Sequence, residues 1–331
     1  METVACDLCG SKKYDFVTKQ TDLIHLSTKD DFSIVECREC GLNYTNPRPS
    51  PDEMKVFYSK SYSFHQTKGI KTLIKRSFLG GFLRWLANSP FGNFFFFFPM
   101  LSRFLASQVR PKIKDPVLSC LKEREVQSFL DIGCGSGLDP HFWRDESSLV
   151  SISKGIESFG CEPDPSSRKF LNDSGIQCWA DIEEVEEGRC FDLIRLNWSL
   201  EHVHDPSRYF EFISKHLTPL GTAIIAVPNY SGLIYQLAPN CVELPIHLYH
   251  FTETDLRGYA KKYSLEVSEA VTFSYPGMFS FASKVGLISS KFSFPKGIIQ
   301  AKHFQKTLNL FDAAGLGNDI IVTLGKKQSL T

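Results

Sequence analysis

Three glycines alternate in Asp131-Ile132-Gly133-Cys134-Gly135-Ser136-Gly137, and a carboxylate stands two residues before the first of them. Glycine lets a backbone turn sharply and approach a ligand that any side chain would hold away. A pyrophosphate cradle needs a further glycine three residues after Gly135, and Leu138 stands there instead. A phosphate ligand is therefore not required, and the acid suits a ligand carrying positive charge. Downstream, two more acids close short apolar runs: Glu162 after Ser158–Cys161, and Asp181 after Ile176–Ala180. A carboxylate in the first of these places can accept both hydroxyls of a ribose.

Four cysteines carry a second chemistry. Cys6-Asp7-Leu8-Cys9-Gly10 and Cys37-Arg38-Glu39-Cys40-Gly41 are two C-x-x-C-G knuckles. A two-residue gap lets both thiolates of a turn reach one ion, and the glycine permits a left-handed bend after the second. The chain between the knuckles can return as a hairpin of Lys13–Lys19 with Ser33–Glu36. Zinc held by Cys6, Cys9, Cys37 and Cys40 has no open coordination position, so its expected role is structural. A redox dithiol would belong at a helix start in a thioredoxin-like setting, which is absent. The other six cysteines are scattered and suit core filling.

Candidates for proton transfer are fewer. His202 and His204 follow the fourth strand-like run, and His247, Tyr249 and His250 follow the fifth. Histidine titrates in the range that suits removal of an acceptor proton. His202 and His247 are the leading candidates, with a hydrogen-bonded loop histidine as the alternative for each. The sequence shows no carboxylate cluster of the kind that holds a catalytic magnesium, so metal-dependent catechol chemistry is not expected.

The elements that must position these residues can be read from the same stretch. Apolar runs at Val126–Leu130, Ser158–Cys161, Ile176–Ala180, Phe191–Asn197 and Gly221–Asn229 alternate with helical patterns such as Ser166–Asp173 and Pro206–Leu217. That alternation predicts an α/β fold with a doubly wound, mostly parallel sheet. Ligands of such sheets lie outside the carboxyl ends of the strands, where the glycines and acids fall. Thr252–Tyr263 and Leu265–Phe273 read as a further helix and strand, and Asn318–Leu324 as a last strand.

From about Val126 to Val227 this ordering resembles the class I S-adenosylmethionine-dependent methyltransferases. The resemblance implies a Rossmann-like, doubly wound, mostly parallel seven-stranded sheet with an antiparallel last strand, here behind an N-terminal four-cysteine zinc ribbon. It implies that Asp131, Gly133, Gly135 and Gly137 hold the methionine portion of the cofactor and Glu162 its ribose. Asp181 and Ile182 would hold the adenine, and Asn197 would also bind the cofactor. Asn46–Glu53 after the second knuckle and His247–Thr252 after the fifth strand narrow the likeness. The whole is similar to bacterial zinc-ribbon methyltransferases associated with cell-surface polysaccharide and nucleotide-sugar pathways. It is similar, more distantly, to sugar C-methyltransferases of antibiotic pathways. A small-molecule or lipid-linked sugar is then the expected acceptor. The alternatives are a non-catalytic S-adenosylmethionine-binding protein and a methyltransferase acting on RNA or protein.

Composition bounds these readings. The 331 residues include 37 basic and 37 acidic side chains, which cancel, so no global field recruits nucleic acid. No base-flipping N-P-P-Y motif follows the fourth strand; Asn197-Trp198-Ser199-Leu200 stands there. The amino terminus lacks a basic start followed by an apolar run, and the ten cysteines show no export context. A cytoplasmic protein is expected, with peripheral contact at the inner face of the membrane as a further expectation. Three regions are expected: a zinc ribbon over 1–48, a helical, aromatic-rich segment over 49–118, and the methyltransferase domain over 119–331 with an insertion at 275–316. Within 68–105, Lys68, Lys71, Lys75 and Arg76 precede an uncharged stretch from Trp85 to Ser102 that contains five consecutive phenylalanines. Pro90 and Pro99 break any single spanning helix there. The segment reads as a lid over cofactor and substrate, or as a strip lying in a membrane interface.

Overall fold

The computed structural model describes residues 1–23, 26–58, 78–91, 93, 105, 109, 111, 113–138, 145–288 and 298–327. Two sheets organise them. The smaller one is antiparallel and joins β1 (Tyr14–Gln20), β2 (Phe32–Cys37) and β3 (Asn43–Thr45) to β9 (Tyr249–His250), in the order β1-β2-β3-β9. The larger sheet contains β4 (Ser128–Ile132), β5 (Glu157–Cys161), β6 (Cys178–Trp179), β7 (Phe191–Asn197), β8 (Leu217–Pro228), β10 (Leu265–Phe273) and β11 (Asp319–Lys326). Its order is β10-β11-β8-β7-β4-β5-β6. Strands β4 to β8 pair in parallel, and β11 runs antiparallel to both of its neighbours. The doubly wound, mostly parallel seven-stranded sheet expected from the sequence is therefore present, with its last strand reversed.

Central strands of this kind are buried on both faces, and their side chains alternate between two cores. Leu130, Ile194, Leu196, Ile225 and Val227 enter one core, while Phe129, Leu193, Ile224 and Ala226 enter the other. Three covering helices open on the same dipeptide: α3 (Pro116–Glu123) at Asp115-Pro116, α5 (Pro165–Asp173) at Asp164-Pro165, and α6 (Pro206–His216) at Asp205-Pro206. In each, the aspartate accepts hydrogen bonds from first-turn amides and proline fills the position where an amide would be orphaned. A short α4 (Leu149–Ile152) joins α3 and α5 on the second core. On the first core, α8 (Glu253–Lys262) starts from a capping box of Thr252 with Asp255 and buries Leu256, Tyr259 and Ala260.

The small sheet lies between that first core and a third. Val35 and Cys37 of β2 point into the first, together with Cys6, Leu42 and Tyr44. Phe32 and Ile34 point the other way, onto α7 (Leu233–Leu237), α9 (Pro276–Lys284) and α10 (Ile298–Ala313). The expected insertion between β10 and β11 thus supplies two helices packed behind the small sheet. In the segment after the knuckles, α1 (Pro51–Phe57) is capped by Ser50 and Glu53, and α2 (Phe78–Asn88) packs Leu86 and Ala87 against Leu105, Val109 and Ala301. The basic cluster Lys68–Arg76 and the phenylalanine run 94–98 lie outside the described residues. Among the described residues, no helix is long and apolar enough to cross a membrane.

One tie between β7 and β11 carries a pH dependence. Trp198 follows β7 with φ +52°, and its ring N–H donates to Asp319 Oδ1 at 3.0 Å. Burial pushes the Asp319 carboxyl up to about 7 from 3.8. A raised acid binds its proton more tightly when folded, so this group favours the folded state below pH 3.8 and that advantage fades as pH rises to about 7. Asp319→Asn keeps an acceptor for Trp198 and has no proton to lose. Relative to the parent it should gain stability across that window, by a few kcal/mol at ~1.4 kcal/mol per pKa unit. Thermal midpoints of both proteins from pH 4 to 8 check this; parallel curves would contradict it.

Candidate functional site

The glycine turn lies between β4 and the segment leading to α4. Gly133, Gly135 and Gly137 all have positive φ, at +73°, +53° and +68°, a region that side chains rarely adopt. At Gly133 space is also lacking, since a Cβ there would stand 2.4 Å from Ser199 Cβ. The turn is pressed against the loop after β7, where Ser199 Oγ donates to Ile132 O at 3.0 Å. Glu162, buried at the end of β5, spans the gap to this turn. Its Oε2 accepts from the Gly135 amide at 2.8 Å and its Oε1 from the Asp164 amide at 2.9 Å. Asn197 is buried at the end of β7. Beyond β6, Asp181 caps the short turn Ile182–Glu184 by accepting from the Glu183 amide, and it pairs with Arg208; Ile182 is buried in the core beneath. Glu162, Asp181, Ile182, Asn197 and the three glycines therefore share the carboxyl edge of the sheet.

Asp131 differs from the expectation. It lies inside β4, not after it, in register with Arg195 of β7. Arg195 Nε donates to Asp131 Oδ1 at 2.9 Å and Nη2 to Oδ2 at 2.5 Å, and both side chains are 4% exposed. The positive partner that the carboxylate suits is a side chain of the same protein, which also donates from Nη1 to Ser147 O at 2.7 Å. Asp131 is thus not an open ligand for a cation.

His202 and His247 meet. Their ring centroids are 4.7 Å apart in an edge-to-face arrangement, although 45 residues separate them in the chain. The backbone brings them together: the Leu248 amide donates to Glu201 O at 2.8 Å, and His202 Nδ1 lies 3.0 Å from Ile246 O. A carbonyl only accepts, so in the neutral ring the proton sits on Nδ1. His202 Nε2 then carries the lone pair, 4.0 Å from Glu201 Oε1. Glu201 is 1% exposed and its Oε2 has no hydrogen-bond partner among the described residues. Burial, followed by the Glu243 and Asp319 carboxylates, pushes its carboxyl well above the usual range. Tyr58 packs its ring 6.3 Å from that of His202. Burial, and then the Glu201, Glu162 and Glu243 carboxylates, raise its phenol.

The other side chains of this region turn away from the pair. His204 Nε2 faces Pro49 O at 3.0 Å, and the Tyr249 hydroxyl donates to His204 O at 3.1 Å and accepts from Arg48 Nη1 at 3.0 Å. His250 is buried beside Thr45 Oγ1 at 3.2 Å, and desolvation pushes its imidazole down to about 3. These three serve the junction with the small sheet. The knuckles converge as well: Cys6, Cys9, Cys37 and Cys40 offer sulfurs that all lie within 4.8 Å of one another. The Cys6–Cys40 and Cys9–Cys37 sulfur pairs are each 3.5 Å apart. Zinc–sulfur bonds of about 2.3 Å in a tetrahedron place sulfurs roughly 3.8 Å apart, so the set fits one ion. Gly10 and Gly41 make the expected left-handed bends at φ +78° and +81°.

A family model described as a methyltransferase domain matches residues 105–270. The chain belongs to this methyltransferase family. No curated protein matches the methyltransferase. Among solved structures it is similar to an S-adenosylmethionine-dependent methyltransferase from Clostridium acetobutylicum, with 14% identity over 64% of this chain and 89% of that one, at a TM-score of 0.40. It is also similar to the 1,6-didemethyltoxoflavin-N1-methyltransferase of Burkholderia thailandensis, with 14% identity over 94% of this chain and all 100% of that one, at a TM-score of 0.42. A third is the sugar N-methyltransferase from Streptoalloteichus sp., with 22% identity over 33% of this chain and 44% of that one, at a TM-score of 0.28.

Three residues of the candidate site escape a reading of the sequence. Arg195 leaves a signal, a cation inside an otherwise apolar strand, which demands a buried counter-charge. Glu201 stands beside a candidate histidine and carries no mark of its burial. Tyr58 is distant from the rest of the site in the chain and gives none. For the buried pair, Arg195→Met should leave the Asp131 carboxylate without its partner and cost about 3–5 kcal/mol. The double variant Asp131→Asn with Arg195→Met should recover part of that loss. Urea midpoints of the parent, both single variants and the double variant measure the coupling; additive losses would mean the pair does not act as one.

Proposed function

We propose that this methyltransferase transfers the methyl group of S-adenosylmethionine to an oxygen or carbon of a sugar carried on a nucleotide or a lipid. The observation that carries the reading is the meeting of His202 and His247 with Glu201, with the Tyr58 ring packed beside His202. The glycine turn and Asn197 would hold the methionine portion, Glu162 the ribose hydroxyls, and Asp181 with Ile182 the adenine. The fit is supported by the positive φ angles of the turn and by the close approach of Gly133 to Ser199. Glu162 would exchange its amide partners for ribose hydroxyls, and Asp131 would act by positioning through Arg195. When bound, the cofactor supplies a methyl group made electrophilic by the sulfonium.

The remaining work is alignment, exclusion of water and removal of a proton. His202, held by Ile246 O with its lone pair on Nε2, suits the proton, and His247 suits the orientation of the acceptor. Imidazoles, a phenol and carboxylates make a polar wall, which matches a polyhydroxylated acceptor better than an apolar one. Zinc in the knuckles would be structural. Peripheral membrane contact through 68–105 is supported by the exposed aromatics Phe82, Trp85 and Phe91, whose rings stack at 5.7 and 6.1 Å.

Incubating the protein with methyl-labelled S-adenosylmethionine and separated nucleotide-sugar, lipid-linked saccharide, RNA and protein fractions tests the proposal. Label is expected in a saccharide fraction; label only in RNA or protein would overturn the substrate class, and no transfer despite cofactor binding would mark a binding protein. Gly135→Val places a β-branched side chain at positive φ in the turn. It should weaken cofactor binding by about tenfold or more in calorimetry, and unchanged affinity would remove the turn from the cofactor site. Elemental analysis of protein prepared without chelator should find zinc, and Cys9→Ser with Cys37→Ser should lower it by one ion per chain.

A further inference from the structure

We infer that Glu201, His202 and His247 form a second metal site, one that binds a divalent first-row cation in the acceptor cleft. Each residue offers one ligand atom, and the three atoms lie within 4.8 Å of one another. Two imidazoles and one carboxylate make the donor set that suits such cations while leaving coordination positions open. Metal–ligand bonds of about 2.0–2.2 Å place neighbouring ligand atoms roughly 3–3.5 Å apart, so side-chain rotations of about an ångström close the set.

Two further observations point to a ligand. Glu201 Oε2 is buried without a hydrogen-bond partner among the described residues, an arrangement that a bound cation would resolve. His202 is also oriented as a metal-ligating histidine is, with Nδ1–H given to the backbone carbonyl of Ile246 and the Nε2 lone pair turned toward Glu201.

The knuckle site is closed by its four thiolates, whereas this one keeps positions for an acceptor oxygen. With the His202 Nε2 lone pair taken up in coordination, a cation here would replace that imidazole as the activating group. It would lower the pKa of a coordinated hydroxyl, whose O–H bond then breaks with the proton passing to solvent. That role rests on the proposed methyl transfer; the metal binding itself does not.

Manganese(II) tests the site, because it favours oxygen and nitrogen donors over the thiolates of the knuckles. Titration of the full chain, followed by loss of the free-ion electron paramagnetic resonance signal, should show one bound ion per chain. Glu201→Gln and His247→Ala should each weaken that binding by about tenfold or more, with circular dichroism and zinc content unchanged. Should one variant fail to fold, the other still reports. Failure of the parent to bind manganese, or equal binding by a folded variant, would overturn the inference. Cofactor calorimetry on the same samples separates the two readings. Cofactor binding and transfer without manganese binding would remove this site alone, and manganese binding without transfer would remove the methyl-transfer reading alone.

Discussion

The two-residue pairing of β3 with β9 is the constraint on which the rest of the site depends. Asn43 faces His250 and Tyr44 faces Tyr249 in antiparallel register. On one side, the Thr45 amide donates to Leu248 O at 2.9 Å and its hydroxyl to His247 O at 2.8 Å. On the other, Leu248 and Ile246 hold the turn that carries Glu201 and His202. A segment of backbone is thus clamped between a cysteine-knuckle sheet and a catalytic-domain loop. Each hydrogen bond contributes only about 1 kcal/mol net, but together they fix a direction. The stacked rings of Tyr44 and Tyr249, 6.4 Å apart, add buried apolar area to the same joint.

Two buried carboxylates meet different fates. Asp131 is matched by Arg195 in two-point geometry, with Ser147 taking a further guanidinium donor, so its charge serves to hold β4, β7 and the turn before α4 together. Among the described residues Glu201 has no such partner, and the carboxylates of Glu243 and Asp319 act on it. Desolvation is severe for both, yet one is a closed structural unit and the other an open one. The contrast separates a closed ion pair from an unmatched carboxylate more clearly than the identity of the residues does.

The large sheet is legible in the sequence because its strands are continuous apolar runs ended by acids and glycines, signals that are local. β10 is readable to the residue for the same reason. The knuckles are legible from spacing alone. Asp131 falls one structural step from its expected place, since strand ends are weakly marked and Ile132 continues the apolar run. His202 and His247 stand out in the sequence, but their meeting does not, because it arises from hydrogen bonds between segments distant in the chain. Tyr249 and His250 look equally suited to an acceptor; alternation along β9 and pairing with β3 send them into the joint instead. Long-range pairing leaves no periodic trace in the chain, and that is where sequence reasoning stops.

The pairing of β9, which comes from the chain between β8 and β10 of the large sheet, with β3 of the small sheet bears on how this molecule can be taken apart. A cut after residue 48 would look natural on composition, falling between the cysteine knuckles and a proline-rich stretch. It would not sever a linker. It would strip β9 of its neighbour, expose the edge of a two-residue strand and unroof Val35, Leu42 and Tyr44, which share one core with Leu130 and Ile194. Truncated forms would be expected to behave as sticky, half-built proteins, and grafting the knuckles onto another catalytic domain would require transplanting the partner strand as well. The two parts share one core.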